Sequence, residues 1–129
     1  MKSVVISGSR RFKPEIREFA KKLKDLGVVV YEPYLHSGGE EWGKMSEDYQ
    51  KFVLLGLTHD HFYKEQMADV VFVYNKDGYS GNSTTLEIGY AVALGKPIYA
   101  LEKDDSDLCR HVLFREIISS PEELIKRLQ

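Results

Sequence analysis

The sequence predicts an α/β fold with three layers and a five-stranded, mostly parallel sheet. Short β-branched runs alternate with amphipathic helical stretches, which is the pattern of successive βαβ units. The run Asp69–Asn75 is apolar without alternation, which is typical of a strand covered by helices on both faces. These features indicate a flavodoxin-like or Rossmann-like sheet of order 2-1-3-4-5. The 129 residues show no repeat and no linker composition, so we expect a single domain over residues 1–129.

The first third of the chain is predicted to form a strand, a helix and a second strand. The β-branched run Val4–Ile6 predicts the first strand. Pro14 suits the first turn of the following helix, whose apolar residues recur every three or four positions until Gly27 ends it. A second strand is predicted over Val28–Tyr31.

Residues 34–68 interrupt this alternation. We predict a loop and then two helices, one near Ser46–Leu55 and one near His59–Met67, with Gly56 between them. The run Phe52–Leu55 is apolar on every side of its helix. A subunit interface and additional core remain equal alternatives for it.

The second half restores the alternation. Ser83 is expected to cap a helix from about Thr84 to Leu94, ended by Gly95 and Pro97. The remaining predicted elements are the third strand Asp69–Asn75, the fourth strand Ile98–Leu101, a short fifth strand Glu116–Ile118, and a final helix capped by Ser120.

Composition limits the classes of function. A net charge of −2 and a pI near 6.1 argue against binding to a nucleic-acid polymer or a membrane surface, although a small nucleotide needs only a local site. No apolar run approaches the ~20 residues of a membrane helix. The single cysteine, Cys109, and an N-terminus with too short an apolar stretch for a signal peptide lead us to expect a cytoplasmic protein. The chain has neither the P-loop lysine pattern nor GxGxxG, so an ATPase or a dehydrogenase is not indicated, and we expect no cofactor.

Two loops would meet where the strand order reverses. The first contains Gly8, Ser9, Arg10 and Arg11, which offer close backbone approach, a hydroxyl and a planar cationic fork to a phosphate. The second covers residues 76–83. We predict a ligand site between these loops.

Glu87 is the only charged residue between Asp77 and Lys96. Burial of an unpaired carboxylate costs several kcal/mol, so such a group is usually paired or functional. The helix dipole favours its ionised form by ~0.3–1 kcal/mol. From the residues alone, a solvated or hydroxyl-bonded carboxylate at the helix start remains an alternative to a catalytic group.

The spacing of these residues resembles a known family. An Ala68-Asp69 pair precedes Glu87 by eighteen residues, and the run Glu-Ile-Gly-Tyr-Ala-Val-Ala-Leu-Gly-Lys-Pro-Ile follows. Together with the Ser7-Gly8-Ser9 turn, this closely resembles the nucleoside 2-deoxyribosyltransferases and the related 2′-deoxynucleoside 5′-phosphate N-hydrolases over roughly three quarters of the chain. Members commonly complete their sites across subunits, so the resemblance implies a homodimer or higher homo-oligomer.

The resemblance implies roles for particular residues. Glu87 matches the nucleophile that attacks the anomeric carbon and forms a glycosyl-enzyme ester. Ser9 and Arg11 match the contacts to the 5′-phosphate. The family's aspartate, eight residues before the Ala-Asp pair, falls on His61 with Asp60 beside it. A polar helix start is an equal interpretation of the run His59-Asp60-His61. A metal site is not indicated there, because side chains two apart on a helix, such as His59 and His61, do not face each other.

Further positions are less closely matched. Val5 replaces a tyrosine that many members carry, and Gly81 replaces an acidic or hydroxyl residue. Tyr79, Asn82 and Ser83 are candidate sugar or phosphate contacts.

Two classes of function follow. The first is an enzyme that cleaves the N-glycosidic bond of a (2-deoxy)nucleoside 5′-monophosphate, or transfers its 2-deoxyribosyl group between bases, through Glu87. The second is a non-catalytic nucleotide-binding sensor module of the same fold. A phosphoribohydrolase resembling the cytokinin-activating family is a third hypothesis, weakened by the absence of its Gly-Gly-x-Gly-Thr loop.

Overall fold

The computed structural model describes residues 1–36, 38–103 and 105–129. These residues form five strands and six α-helices, with short 3₁₀ turns at Arg10–Phe12 and Lys76–Gly78. In chain order the elements are β1 (Val4–Gly8), α1 (Lys13–Asp25), β2 (Val30–Tyr31), α2 (Gly39–Lys44), α3 (Glu47–Met67), β3 (Val70–Tyr74), α4 (Asn82–Ala93), β4 (Ile98–Ala100), α5 (Leu108–His111), β5 (Glu116–Ile117) and α6 (Pro121–Leu128).

The five strands form one sheet of order β2-β1-β3-β4-β5, and every pairing is parallel. The predicted three-layer α/β class and the order 2-1-3-4-5 are confirmed. The strand order reverses at β1 and β3, which pair from Val4 with Val70 through Gly8 with Tyr74. The carboxyl ends of these two strands therefore lie side by side, where such folds bind ligands.

Side chains that alternate along the strands build two separate cores. On one face Ile6 and Phe72 pack with α1 and α6. On the other face Val5 and Val73 pack with Ile88 of α4, and α3 packs beside α4. Ser7 has the same parity as Val5 and so points into the α3–α4 layer.

A single helix, α3, covers the segment where two were predicted. Ser46 caps it by accepting a hydrogen bond from the backbone N–H of Tyr49. Gly56 lies inside it on an exposed surface and does not end it. A glycine inside a helix costs about 1 kcal/mol, which the continuous hydrogen bonding of a long helix outweighs. The prediction of a break at Gly56 was therefore wrong.

The apolar run in α3 does not add to the core. Phe52 is 70% exposed and Leu55 is 59% exposed, so the alternative of additional core is excluded. α4 likewise buries only one face, with Thr84, Ile88 and Ala91 inside. Its Leu86 remains 61% exposed, so an apolar surface extends from α3 to α4.

The start of α4 also differs from the prediction. The helix begins at Asn82 with Gly81 as its N-cap, and no side chain caps it. Ser83 therefore lies in the first turn instead of capping the helix, while the Thr85 hydroxyl donates to the Gly81 carbonyl oxygen at 2.9 Å. Two short helices, α2 and α5, were not predicted. Among the described residues, no helix has the length and apolar character needed to cross a bilayer.

Candidate active site

Ser7, His61 and Glu87 meet at the carboxyl end of β1. The Ser7 hydroxyl lies 2.8 Å from Nε2 of His61, and the same nitrogen lies 3.3 Å from Oε2 of Glu87. Ser7 is fully buried, and the side chains of His61 and Glu87 are 6% and 13% exposed. The sheet, α3 and α4 each supply one member. The structure thus brings together two predicted catalytic residues and adds a hydroxyl that the sequence analysis treated only as part of a turn.

Glu87 lies in the second turn of α4, with Ile88 of the core immediately after it. Burial raises the pKa of Glu87 to about 8, from an ordinary value of 4.5. A hydrogen bond from Ser7 and the positive charge of Lys64 offset part of this effect. The carboxyl is consequently protonated in much of the population at neutral pH.

His61 is shifted in the opposite direction. Burial lowers the pKa of His61 to about 4, and the charge of Lys64 lowers it further, while Asp60 opposes the change. The two residues therefore titrate as a pair that holds one proton between about pH 4 and about pH 8. In the resting site this proton belongs to the carboxyl, and at 3.3 Å the imidazole is placed to take it.

A second buried carboxyl lies one helical turn from His61. Glu65 is 0% exposed, and neither of its side-chain oxygens has a hydrogen-bond partner. Burial, together with the negative charge of Glu87, raises the pKa of Glu65 to about 8. The sequence analysis did not identify Glu65. Its spacing of four from His61 was the available signal, because residues i and i+4 share a helix face.

The His61 and Glu87 side chains face a cavity of about 270 Å³ between β1, α3 and α4. His61 and Glu87 both contribute to its wall, so the Glu87 carboxyl can meet a ligand. The lining residues are Gly8, Ser9, Arg10, Pro33, Tyr34, Leu54, Leu57, Thr58, His61, Phe62, Gly81, Asn82, Ser83, Thr84, Leu86 and Glu87. Four of the predicted binding residues, Gly8, Ser9, Asn82 and Ser83, belong to this set.

Packing within the fold requires glycine at position 8. A Cβ there would lie 2.8 Å from Cδ1 of Ile16 and 3.1 Å from the Tyr74 carbonyl oxygen. Gly8 thus lets α1 and β3 approach the end of β1. The next residue, Ser9, uses its hydroxyl to accept a hydrogen bond from the backbone N–H of Arg11.

The two arginines of the first loop take different places. Arg10 contributes to the cavity wall, and its guanidinium lies 3.4 Å from the His36 carbonyl oxygen. The Arg11 guanidinium stacks 3.5 Å from the centre of the Tyr79 ring. Neither Arg11 nor Tyr79 is among the residues that line the cavity. Their contact has the geometry of a cation–π interaction. Arg10 is the cationic side chain among the residues that line the cavity.

Asp60 is not brought into the site. Its carboxylate pairs with Lys64 at 2.7 Å, and its side chain is 49% exposed. Successive helical residues point about 100° apart, so when His61 faces inward Asp60 must face outward. Its remaining influence on the site is the long-range charge that opposes the lowering of the His61 pKa.

A buried ion pair fixes the loop that precedes α4. Nε of Arg110 donates to Asp105 at 2.8 Å, and a second guanidinium nitrogen donates to the Thr85 hydroxyl at 3.2 Å. Asp105 also accepts from the amide of Asn75 at the end of β3. This network ties β3 and the first turn of α4 to the segment after β4, and so it positions Glu87. The sequence offered no motif for it.

No group of three histidine, cysteine, aspartate or glutamate side chains within residues 1–36, 38–103 and 105–129 is arranged to hold a metal ion. The chemistry available at the site is that of a carboxyl, an imidazole and several hydroxyls, with a guanidinium at the rim. Such a set can supply a nucleophile and move one proton.

Three solved structures have a similar fold. A 2-deoxyribosyltransferase from the psychrotolerant bacterium Bacillus psychrosaccharolyticus has a TM-score of 0.63 and 16% identity, over 95% of this chain and 89% of that chain. The CMP N-glycosidase BcmB of Clostridium botulinum has a TM-score of 0.57 and 20% identity, over 98% of both chains. A conserved protein from Enterococcus faecalis V583 has a TM-score of 0.61 and 17% identity, over 99% of this chain and 97% of that chain.

This likeness is one of fold over the whole length of the chain. It confirms the fold that the sequence resemblance to nucleoside 2-deoxyribosyltransferases implied. No family model matches the chain, and no curated protein matches its sequence.

Proposed function

We propose that this chain is an enzyme that cleaves the N-glycosidic bond of a (2-deoxy)nucleoside 5′-monophosphate, or transfers its 2-deoxyribosyl group between bases, with Glu87 as nucleophile. One observation carries the proposal: the Glu87 carboxyl and the His61 imidazole lie 3.3 Å apart on the wall of a cavity. The similar fold of a 2-deoxyribosyltransferase and a CMP N-glycosidase supports the same class of reaction.

The reaction begins with transfer of the carboxyl proton from Glu87 to Nε2 of His61. The resulting carboxylate attacks the anomeric carbon as the bond to the base breaks, and its charge stabilises the positive charge that develops on the sugar. The imidazolium gives its proton to the departing base. The products of this step are a glycosyl ester on Glu87, a neutral His61 and a protonated base, so the proton is conserved.

The second step returns the enzyme to its starting state. Water, or the nitrogen of an incoming base, attacks the anomeric carbon as the ester bond to Glu87 breaks and frees the carboxylate, while His61 accepts the proton that the attacking group releases. The proton then returns to Glu87. Hydrolysis and transfer differ only in which acceptor occupies the cavity at this stage.

The rim of the cavity supports a phosphorylated substrate. Arg10 contributes the guanidinium, and Ser9, Asn82 and Ser83 contribute polar side chains around it. The start of α4 adds backbone N–H groups that no side chain caps. Together these groups match the charge and hydrogen-bonding needs of a phosphate.

The exposed apolar surface supports the predicted homo-oligomer. Phe52 and Leu55 are exposed, and Leu54 and Leu86 extend the same surface into the cavity wall. We propose that a second copy of the chain packs on this surface, because doing so would both bury its apolar side chains and enclose the open side of the cavity.

The test is a chromatographic screen of (deoxy)nucleosides and their monophosphates, with and without an acceptor base. We expect base release by the native chain and its loss, by a factor of about 10³ or more, in Glu87→Gln. Glu47→Gln makes the same change at an exposed position of α3, where the side chain is 80% exposed, and should retain full activity.

Calorimetry on Glu87→Gln completes the test. We expect this variant to bind the nucleotide that the native chain cleaves. Base release by Glu87→Gln at the native rate would refute the mechanism. Nucleotide binding without base release by the native chain would instead favour the non-catalytic sensor module.

A further inference from the structure

The hydroxyl of Ser7 takes no part in the reaction described above. Ser7 is the last residue of β1 that has a side chain, and it is fully buried. Its neighbours on the same face of the sheet, Val5, Val71 and Val73, are all apolar. A hydroxyl buried among valines costs free energy unless it is hydrogen-bonded, and alanine would avoid that cost. The role of this hydroxyl therefore depends on the group that it contacts.

The group that Ser7 contacts is Nε2 of His61. Oγ of Ser7 lies 2.8 Å from this nitrogen, and Oε2 of Glu87 lies 3.3 Å from the same nitrogen, so Ser7 makes the shorter of the two contacts. The last side-chain torsion of a histidine is broad and roughly two-fold, so the helix backbone alone does not fix which edge of the ring faces the carboxyl. Half a turn about this torsion would put the carbon Cε1 in the place of Nε2, and a carbon cannot take the proton of Glu87.

We propose that Ser7 is a positioning residue whose hydroxyl holds the His61 ring with Nε2 towards the Glu87 carboxyl. The proposal rests on the proposed reaction at Glu87. Ser7 serves both protonation states of the ring, because a hydroxyl has one proton to donate and two lone pairs that accept. It donates to Nε2 while the ring is neutral, and it accepts from the Nε2–H group once Glu87 has given up its proton.

The contact in the second state frees the nucleophile. After the proton transfer, the Nε2–H group of His61 faces two oxygens, and the Glu87 carboxylate must leave this contact to attack the sugar. Because Oγ of Ser7 is the nearer acceptor, the N–H group stays hydrogen-bonded while the carboxylate turns to the anomeric carbon. The step therefore leaves no buried donor unpaired, which would cost free energy. Ser7 itself forms no covalent bond and neither gains nor loses a proton.

The first experiment compares kcat and KM for base release by Ser7→Ala and the native chain. Ser7 is not among the residues that line the cavity, so it acts through His61 and not on the substrate. We therefore expect Ser7→Ala to lower kcat about ten- to a hundredfold near pH 6 and to change KM by less than about twofold. A kcat within about twofold of the native value, or a raised KM with an unchanged kcat, would overturn the proposal.

A matched control and a double-mutant cycle separate positioning from a merely structural role. Ser3→Ala removes a hydroxyl that bonds to Asp69 at 3.1 Å just before β1, and it should leave kcat and KM unchanged. His61→Ala removes the ring that Ser7 holds, so adding Ser7→Ala to that variant should change kcat by less than about twofold. A structural role would lower kcat by the same factor with and without His61, and that result would overturn the proposal.

Urea unfolding of the native chain, the two single variants and the double variant tests the contact separately from activity. Because the Ser7 hydroxyl loses its partner in His61→Ala, Ser7→Ala should destabilise that variant less than it destabilises the native chain. Equal losses of stability with and without His61 would overturn the proposal. If the native chain released no base, the proposed function would fail, while this measurement would still decide whether Ser7 holds His61.

Discussion

Replacement of Glu65 by leucine should stabilise the fold by an amount that grows with pH. Burial and the charge of Glu87 raise the pKa of Glu65 from 4.5 to about 8 in the folded chain. For an acid whose folded pKa is raised, the folded state binds the extra proton between these two values, so its stability falls as the pH rises through them. The difference corresponds to about 5 kcal/mol in total, or roughly 1.4 kcal/mol for each pH unit.

Leucine has no proton to lose and fills a similar space. The variant therefore does not lose stability as the pH rises from 4.5 to about 8. The assay is urea unfolding of the native chain and Glu65→Leu at pH 5, 6, 7 and 8. We expect the free energy of unfolding of Glu65→Leu to exceed that of the native chain by an amount that grows with pH. This difference should be about 3 kcal/mol larger at pH 7 than below pH 4.5. Glu47→Leu, the same change at an exposed site, should show no such trend. A difference that stays constant from pH 5 to pH 8 would refute the assignment of a neutral, unpartnered acid at position 65.

Three other predictions concern Ser7 beside Glu87, the Arg110–Asp105 ion pair and the apolar surface of α3. Ser7→Ala should move the alkaline limb of base release to higher pH, because the Ser7 hydrogen bond lowers the Glu87 pKa, and an unmoved limb would contradict this. Arg110→Met should cost about 3–5 kcal/mol in urea unfolding, since it leaves the buried Asp105 carboxylate uncompensated, and a change below 1 kcal/mol would argue against the network. Phe52→Asp should convert the oligomer to monomers in light scattering, and a native chain that is already monomeric would exclude the proposed interface.

Short-range sequence patterns were enough to predict most of the fold. β-Branched runs and helix-ending residues such as Gly27 act within a few positions, and parallel strands with alternating helices leave few possible topologies. The break predicted at Gly56 failed because a local propensity of about 1 kcal/mol is small beside the hydrogen bonding of a 21-residue helix. The short helices α2 and α5 were missed because they contain too few residues to show a period.

The candidate site was only partly accessible from the sequence. Glu87 stood out because it is a single charge in an uncharged run, and the family spacing added His61. The structure separates Asp60 from His61, since neighbouring helical residues face different directions. Glu65 became visible only once burial was known, because a glutamate at that spacing is usually exposed on a helix surface.

The reactive role of Glu87 is the central claim, and the most direct test is the mass of the enzyme during turnover. The native chain, mixed with a nucleotide that it cleaves and quenched rapidly in acid, should gain the mass of the pentose phosphate. Peptide mapping should place that mass on the peptide containing Glu87, and Glu87→Gln should gain none. Base release with no covalent adduct at any quench time, or an adduct on another residue, would contradict a glycosyl ester at Glu87.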